Sequence, residues 1–202
     1  YDPRIMASVL SVSSDYMHFS VAVADEYRKN PKKKAYQAVK EAVESIKADK
    51  YVDAYIQFTR TKKKDYANMI RNPPYFILTF ISGVKVINGK TVAGNEAEFV
   101  SGLLEYTGPN IPMFGGSASS SLEEYLQNKA DNVQFADGKM YKNAAIVVFV
   151  VCNLHFTTLV AHGYKSTKDF AAITKLDKTG YEILEINGKE PIAEYARILG
   201  VS

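Results

Sequence analysis

The stretch Ala144–Cys152, with the sequence AAIVVFVVC, is the longest apolar run in the chain, and the fold class follows from it. A helix needs about 20 apolar residues to cross a bilayer, so this run is too short to span one. Its length and its β-branched residues favour a strand that is buried on both faces. Tyr75–Ile81, with the sequence YFILTFI, predicts a second central strand. We therefore expect a sheet at the centre of the molecule and no membrane span in this segment.

Helices and further strands are predicted on either side of these runs. Asn30 and Pro31 are typical of a helix start, and the apolar spacing after them predicts a helix to about Ala48. Met17–Ala24 alternates between larger apolar residues and small residues, which predicts a strand whose small-residue face packs closely against another element. Further strands are predicted at Ile5–Ser13, Ile111–Phe114, Leu154–Gly163, Phe170–Lys175 and Tyr181–Ile186, and Val133–Phe135 is predicted to form a hairpin with Lys139–Val151. Helices are predicted at Glu96–Tyr106 and from Pro191. Tyr51–Thr59 is ambiguous and compatible with a strand, and Lys62–Pro74 is predicted to be a polar loop or short helix.

This order of elements predicts an α+β fold with mixed, largely antiparallel β-sheets packed against three or four helices. The 202 residues are 47% apolar and 23% charged, as in an ordinary globular protein. Such a length favours a single domain over residues 1–202.

Charge and cysteine content exclude several classes of function. The net charge of +3 is too small to indicate nucleic-acid binding, and the lysine runs at 32–34 and 62–64 lack interleaved aromatic residues. Cys152 is the single cysteine, which excludes an internal disulfide and a cysteine-rich zinc site and fits a reducing compartment. The three histidines, His18, His155 and His162, have no helical zinc spacing, so neither a metal nor a cofactor is expected.

The most unusual local feature is the stretch Gly115–Ser121, with the sequence GGSASSS, which is expected to be a loop that follows a strand. Two glycines allow the backbone to approach a ligand closely, and successive amides with small hydroxyls can form a donor-rich nest for an anion. A flexible serine-rich connector fits the same residues. His162, which Gly163 follows at a predicted strand end, is a second candidate, since pockets form at strand ends.

A serine hydrolase is an alternative interpretation of the glycine–serine stretch. Residues 115–119 nearly match the G-x-S-x-G nucleophile elbow, but the last position is Ser119 instead of glycine. The elbow also requires a helix directly after it, and a triad requires a histidine and an acidic residue within reach. We assign no catalytic residue and expect no enzyme activity.

Several segments in order resemble the N-terminal FIST domain, named for F-box and intracellular signal transduction. The resemblance runs over residues 75–200, and it depends on the order and spacing of the motifs. The segments are Tyr75–Gly83, Gly102-Leu103-Leu104, Ile111–Ala118 with its P-x-x-G-G-S-A signature, Phe135–Lys139 with Asn143-Ala144-Ala145, His162-Gly163-Tyr164 followed by Ile173-Thr174-Lys175, and Leu184–Gly188 through Pro191–Tyr195 to Leu199-Gly200.

The resemblance implies a cytoplasmic sensory domain that binds a small molecule, for which amino acids and related metabolites are proposed. Such domains pass the signal to an output domain of a histidine kinase, two-component or chemotaxis type, so the chain is expected to be a piece of a longer signalling protein. On this basis the predicted ligand-binding residues are Gly115, Gly116, Ser117, Ala118 and Ser119, with His162, Gly163 and Tyr164 as a facing wall. A haem-binding gas sensor, reported for some members, is a second alternative, with one histidine as the iron ligand.

Overall fold

The computed structural model describes residues 16–60, 74–88, 90–92, 94–127, 132–166, 168–178, 180 and 182–201. They divide into two compact units, Tyr1–Phe156 and Thr157–Ser202. The predicted strand at Ile5–Ser13 lies outside the described residues, as does nearly all of the predicted polar segment at Lys62–Pro74.

The first unit contains eight strands and four α-helices among its described residues. The strands are β1 (Met17–Ala24), β2 (Tyr75–Ser82), β3 (Lys85–Ile87), β4 (Lys90–Val92), β5 (Met113–Ala118), β6 (Val133–Ala136), β7 (Lys139–Lys142) and β8 (Ala145–Cys152). The helices are α1 (Pro31–Ser45), α2 (Asp49–Arg60), α3 (Glu96–Thr107) and the short α4 (Leu122–Leu126), with a 3₁₀ turn at Tyr27–Lys29.

A four-stranded mixed sheet forms the centre of this unit, in the order β1-β8-β2-β5. The two apolar runs are β8 and β2, which lie in the middle of the sheet, as the sequence predicts. The structure shows that they pair antiparallel with each other. β1 pairs antiparallel with β8, whereas β5 pairs parallel with β2. The parallel pair needs a crossover connection, which α3 provides together with the β3–β4 hairpin.

One face of the sheet is covered by α1, α2 and α3, and the core lies between them. Ile77, Val147 and Phe149 from the central strands are fully buried there, as are Val39 of α1 and Phe99 of α3. A second, smaller cluster on the opposite face contains Phe76, Val150 and Cys152.

The small-residue face of β1 packs against α1, which confirms the predicted close approach. Ala22 and Ala24 are buried, and the Ser20 hydroxyl donates to the Ala42 carbonyl of α1. Phe19 and Val21 on the larger apolar face are 64% and 38% exposed. β1 thus faces the core with its small side chains, because these let the helix backbone come close.

Three element predictions are corrected by the structure. Tyr51–Thr59, whose sequence is compatible with a strand, lies within the helix α2. The strand predicted at Lys139–Val151 is two strands, β7 and β8, divided at Asn143, whose positive φ of 57° turns the chain. The strand predicted at Leu154–Gly163 does not form. No strand partner lies beside it among the described residues, and Leu159 is 87% exposed.

The second unit contains a two-stranded antiparallel sheet of β9 (Ile173–Leu176) and β10 (Ile183–Ile186), followed by helix α5 (Pro191–Leu199). Glu194 of α5 is buried, and it accepts hydrogen bonds from Arg197 and from Asn187 of the turn after β10. These bonds stabilise the ionised carboxylate and hold the pKa of Glu194 well below its usual range.

The predicted fold class is confirmed. The described residues form mixed, largely antiparallel sheets with four α-helices of nine residues or more. Among the described residues, no helix combines the length and the apolar character that a membrane span requires.

Candidate functional site

Most of the predicted glycine–serine loop is a strand. Gly115, Gly116, Ser117 and Ala118 are the last four residues of β5, in parallel register with Thr79 to Ser82 of β2. The expected loop is therefore shorter and begins at Ser119. The prediction was wrong here because the backbone ladder to β2 holds the two glycines extended, which their own preferences do not reveal.

Gly115 is required by packing within the sheet. Its φ is 153°, and a Cβ built on it would lie 1.8 Å from the carbonyl oxygen of Thr79 in β2. A side chain at this position has no room. The first glycine of the pair is thus explained by the approach of β5 to β2.

Gly116 has no such requirement. A Cβ at Gly116 would meet no atom of the described residues within 4 Å. The residue is exposed, and it lies opposite Phe80 of β2, whose side chain is 43% exposed on the second face of the sheet. Among the described residues, packing leaves this position free for a side chain.

The hydrogen-bond register shows which backbone groups of β5 face outward. Ile77 donates to the Pro112 carbonyl and Gly83 donates to the Ala118 carbonyl, so alternate residues of β5 direct both of their backbone groups at β2. Gly116 belongs to that set. Gly115 and Ser117 therefore direct their N–H and C=O groups away from β2, and within the described part of the chain β5 pairs with β2 alone.

Ser117 connects this edge to the start of α3. Its hydroxyl donates to Oε1 of Glu96 over 3.0 Å, and the serine is exposed while Glu96 is half-buried. Glu96 is the first residue of α3, where a negative charge interacts favourably with the helix dipole. A carboxylate, a hydroxyl and outward backbone groups thus meet where β2 and β5 end.

Tyr27 and Arg28 anchor the other side of this region. The fully buried Tyr27 hydroxyl lies 2.6 Å from the Ser82 carbonyl and also within hydrogen-bonding distance of the Gly94 carbonyl. The Arg28 guanidinium donates to the carbonyls of Ser82 and Gly83. The chain that leaves β2 is therefore fixed to the 3₁₀ turn before α1.

Asn132 joins the connector after β5 to the end of β2 by hydrogen bonds. It is buried, and Ser120 donates to its side-chain oxygen over 3.0 Å. Its side-chain amide donates to the Val84 carbonyl, and the Ser82 hydroxyl donates to its backbone carbonyl. Tyr27, Arg28, Glu96 and Asn132 carry no local sequence signal of a site, because only the fold brings them together.

Residues 4–189 match the family model described as the FIST N domain. The chain belongs to the FIST N domain family. This family is a signal-transduction sensory domain family, and the match begins well before Tyr75, where the recognised motifs start. Neither a curated protein nor a solved structure matches the chain.

The remaining predicted site residues of this FIST N domain lie in its second unit. His162, Gly163 and Tyr164 are exposed there, and the rings of His162 and Tyr164 lie 5.9 Å apart. Their role as a facing wall stays a prediction.

The serine-hydrolase alternative requires a histidine as the partner of its serine. In this FIST N domain the Ser117 hydroxyl donates directly to Glu96. His18 lies on β1, at the opposite edge of the sheet from β5. The side-chain contact of Ser117 is thus with a carboxylate and not with a histidine.

A separate open depression of about 350 Å³ lies between the start of α1 and the end of α3, lined by Asn30, Lys32, Lys33, Tyr36 and Glu105. Lys32 and Glu105 form an ion pair across it at 2.9 Å. The nearby Tyr106 packs edge-on against Tyr36, and burial, followed by the charges of Asp53 and Glu44, raises the pKa of Tyr106 to about 12. None of the predicted site residues lines this depression.

Proposed function

We propose that this FIST N domain binds a small polar molecule, an amino acid or a related metabolite, at the open end of β5. The outward backbone groups of Gly115 and Ser117 support this proposal most directly. They offer N–H donors and C=O acceptors side by side, which matches a ligand that carries both signs of charge. Ligands of α/β sheets bind outside the carboxyl ends of the strands, and β2 and β5 are a parallel pair that ends here.

In this proposal the amides of Gly115 and Ser117 donate to the carboxylate of the ligand. The hydroxyls of Ser117 and Ser119 turn to it from their present acceptors, the Glu96 carboxylate and the Ser120 carbonyl. The two amides are prealigned by the ladder to β2, so their part of the site needs little ordering when the ligand binds. Gly116 keeps the second face of β5 clear, because its position carries no side chain. Ala118 is the last residue of β5 and sets the direction in which the following connector leaves the strand.

The signal would leave the site through the connector after β5. Ser119 and Ser120 lie between the strand and Asn132, which contacts both Val84 and Ser82. A ligand that binds one arrangement of this connector more tightly than another shifts the balance between them by that difference in affinity. We propose that an output domain of a kinase or chemotaxis type receives this shift, in the cytoplasm, and that residues 1–202 act as one sensory domain of a longer protein.

Isothermal titration calorimetry of the 202-residue chain against the standard L-amino acids and related metabolites tests the proposal. Ser117→Ala removes one donor and Gly116→Val fills the open side of β5, and both are expected to weaken binding at least about tenfold. Ser101→Ala, an exposed serine of α3, is the matched control and should bind as the parent does. Tyr164→Ala in the same titration tests the predicted facing wall.

The proposal fails if no member of the panel binds the parent. It also fails if a ligand binds and neither Ser117→Ala nor Gly116→Val weakens it relative to Ser101→Ala. In that case the site lies elsewhere on the chain.

A further inference from the structure

The carboxylate of Glu96 occupies a cradle formed by three separate segments of the first unit. A Cβ built on Gly94 would lie 2.0 Å from Glu96 Oε1, and one built on Gly83 would lie 3.5 Å from the same atom. Ser117 donates to that oxygen from β5. The end of β2, the entry to α3 and the end of β5 therefore all meet at one carboxylate, and the absence of a side chain on Gly94 gives it room.

This carboxylate has unused capacity to accept hydrogen bonds. A carboxylate accepts up to about four hydrogen bonds, whereas the described residues donate one to Glu96, from Ser117. No lysine or arginine of the described residues lies within ion-pair distance of it. A half-buried negative charge with one donor and no cation is well suited to receive a cationic group.

The neighbouring strand edge offers acceptors of the same kind. The outward carbonyls of Gly115 and Ser117 lie on the free side of β5, and Ser117 itself contacts Glu96. An ammonium group has three N–H donors and no acceptor, so it needs several oxygen atoms around it. Glu96 together with this edge provides them.

We propose that Glu96 is the specificity-determining residue of the site and recognises a protonated amino group on the ligand. This inference rests on the proposed function and narrows its substrate class to molecules with a free amino group beside a carboxylate. The ammonium lies on the Glu96 carboxylate, and the carboxylate of the ligand lies on the outward amides of β5. Molecules that lack the amino group lose this interaction and leave the Glu96 charge without a partner.

Calorimetry with matched ligand pairs tests this assignment. L-alanine, L-serine, L-leucine and L-aspartate are each compared with the acid that lacks the amino group, namely propionate, 3-hydroxypropionate, 4-methylpentanoate and succinate. The parent chain is expected to prefer the amino acid of its best pair by at least about tenfold. Glu96→Gln should lose most of that preference.

Two further variants separate recognition from folding. Glu98→Gln removes the charge of an exposed glutamate in the same first turn of α3, so it alters the interaction with the helix dipole in the same way as Glu96→Gln. This variant should keep the parent's preference for the ligand with the amino group. Gly94→Ala keeps Glu96 but displaces its carboxylate from the cradle, so it should weaken binding of the amino acid about as much as Glu96→Gln does, with little change in the melting temperature.

Each outcome is decisive. If the parent binds none of these amino acids, this inference falls, and if the full panel of amino acids and metabolites also fails to bind, the proposed function falls with it. If an amino acid binds and Glu96→Gln retains the preference for the amino group, the recognition role of Glu96 is wrong while the proposed function stands. The same conclusion follows if Glu98→Gln loses as much of this preference as Glu96→Gln does.

Discussion

Gly115 and Gly116 are adjacent in β5, yet they belong to two different regions of the molecule. Gly115 belongs to the packed region, where β5 approaches β2 so closely that a Cβ would collide with Thr79. Gly116 belongs to the open second face of the sheet, where a Cβ would meet no described atom within 4 Å. One sequence motif can therefore contain both a glycine that packing requires and a glycine that is available for function. The two are distinguished by what lies around each Cα.

The largest expected effect tests that comparison directly. Gly115→Ala should lower the free energy of unfolding by about 3 kcal/mol or more, because it combines a collision in the sheet with an unfavourable positive φ. Gly116→Ala should change it by less than about 0.5 kcal/mol. Chemical denaturation of both variants measures the difference. Equal effects would mean that the two glycines do not belong to different regions.

A smaller effect on the free energy of unfolding is expected from Tyr27, which contacts the chain at the end of β2. Tyr27→Phe removes the hydroxyl that lies beside the Ser82 and Gly94 carbonyls, while the edge-on contact of its ring with Phe99 at 5.4 Å is kept. A lost buried hydrogen bond costs about 1–2 kcal/mol of unfolding free energy. Tyr36→Phe on α1, with a 37% exposed ring, is the control and should cost little. If both variants melt alike, Tyr27 does not anchor this end of the sheet.

The smallest expected effect has the opposite sign. Gln134 of β6 is buried, and its side-chain nitrogen has no hydrogen-bond acceptor among the described residues. Gln134→Met keeps the volume and removes the unpaired donor, so it should raise the free energy of unfolding by about 1 kcal/mol. Gln37→Met, an exposed position of α1, should leave it unchanged. A loss of stability in Gln134→Met would show that the side-chain amide of Gln134 already has a hydrogen-bond partner in the folded protein.

The central fold was predictable from the sequence because its signals are local. The apolar runs gave β2 and β8, the alternation over Met17–Ala24 gave β1 with the observed bounds, and Asn30 with Pro31 gave the start of α1, where Asn30 accepts from the Lys33 amide. α2 was missed although its signal was present. Val52, Tyr55 and Ile56 are buried at helical spacing.

The candidate site was only partly predictable, because its properties depend on contacts distant in sequence. Glu96 and Glu98 are the same residue type in the same helical turn, and only the position of Ser117, 21 residues later, distinguishes them. The extended conformation of Gly115 depends on β2. Alternation over Leu154–Gly163 predicted a strand, but alternation alone does not provide a pairing partner.

The most direct test of the central claim, that ligand binds at the open end of β5, is a nuclear magnetic resonance titration of the ¹⁵N-labelled chain with the best-binding amino acid. We expect the amide signals of Gly115 and Ser117, which face outward, to shift more than that of Gly116, which faces β2. Shifts confined to residues around Lys32 and Tyr36, which line the depression between α1 and α3, would contradict this binding site.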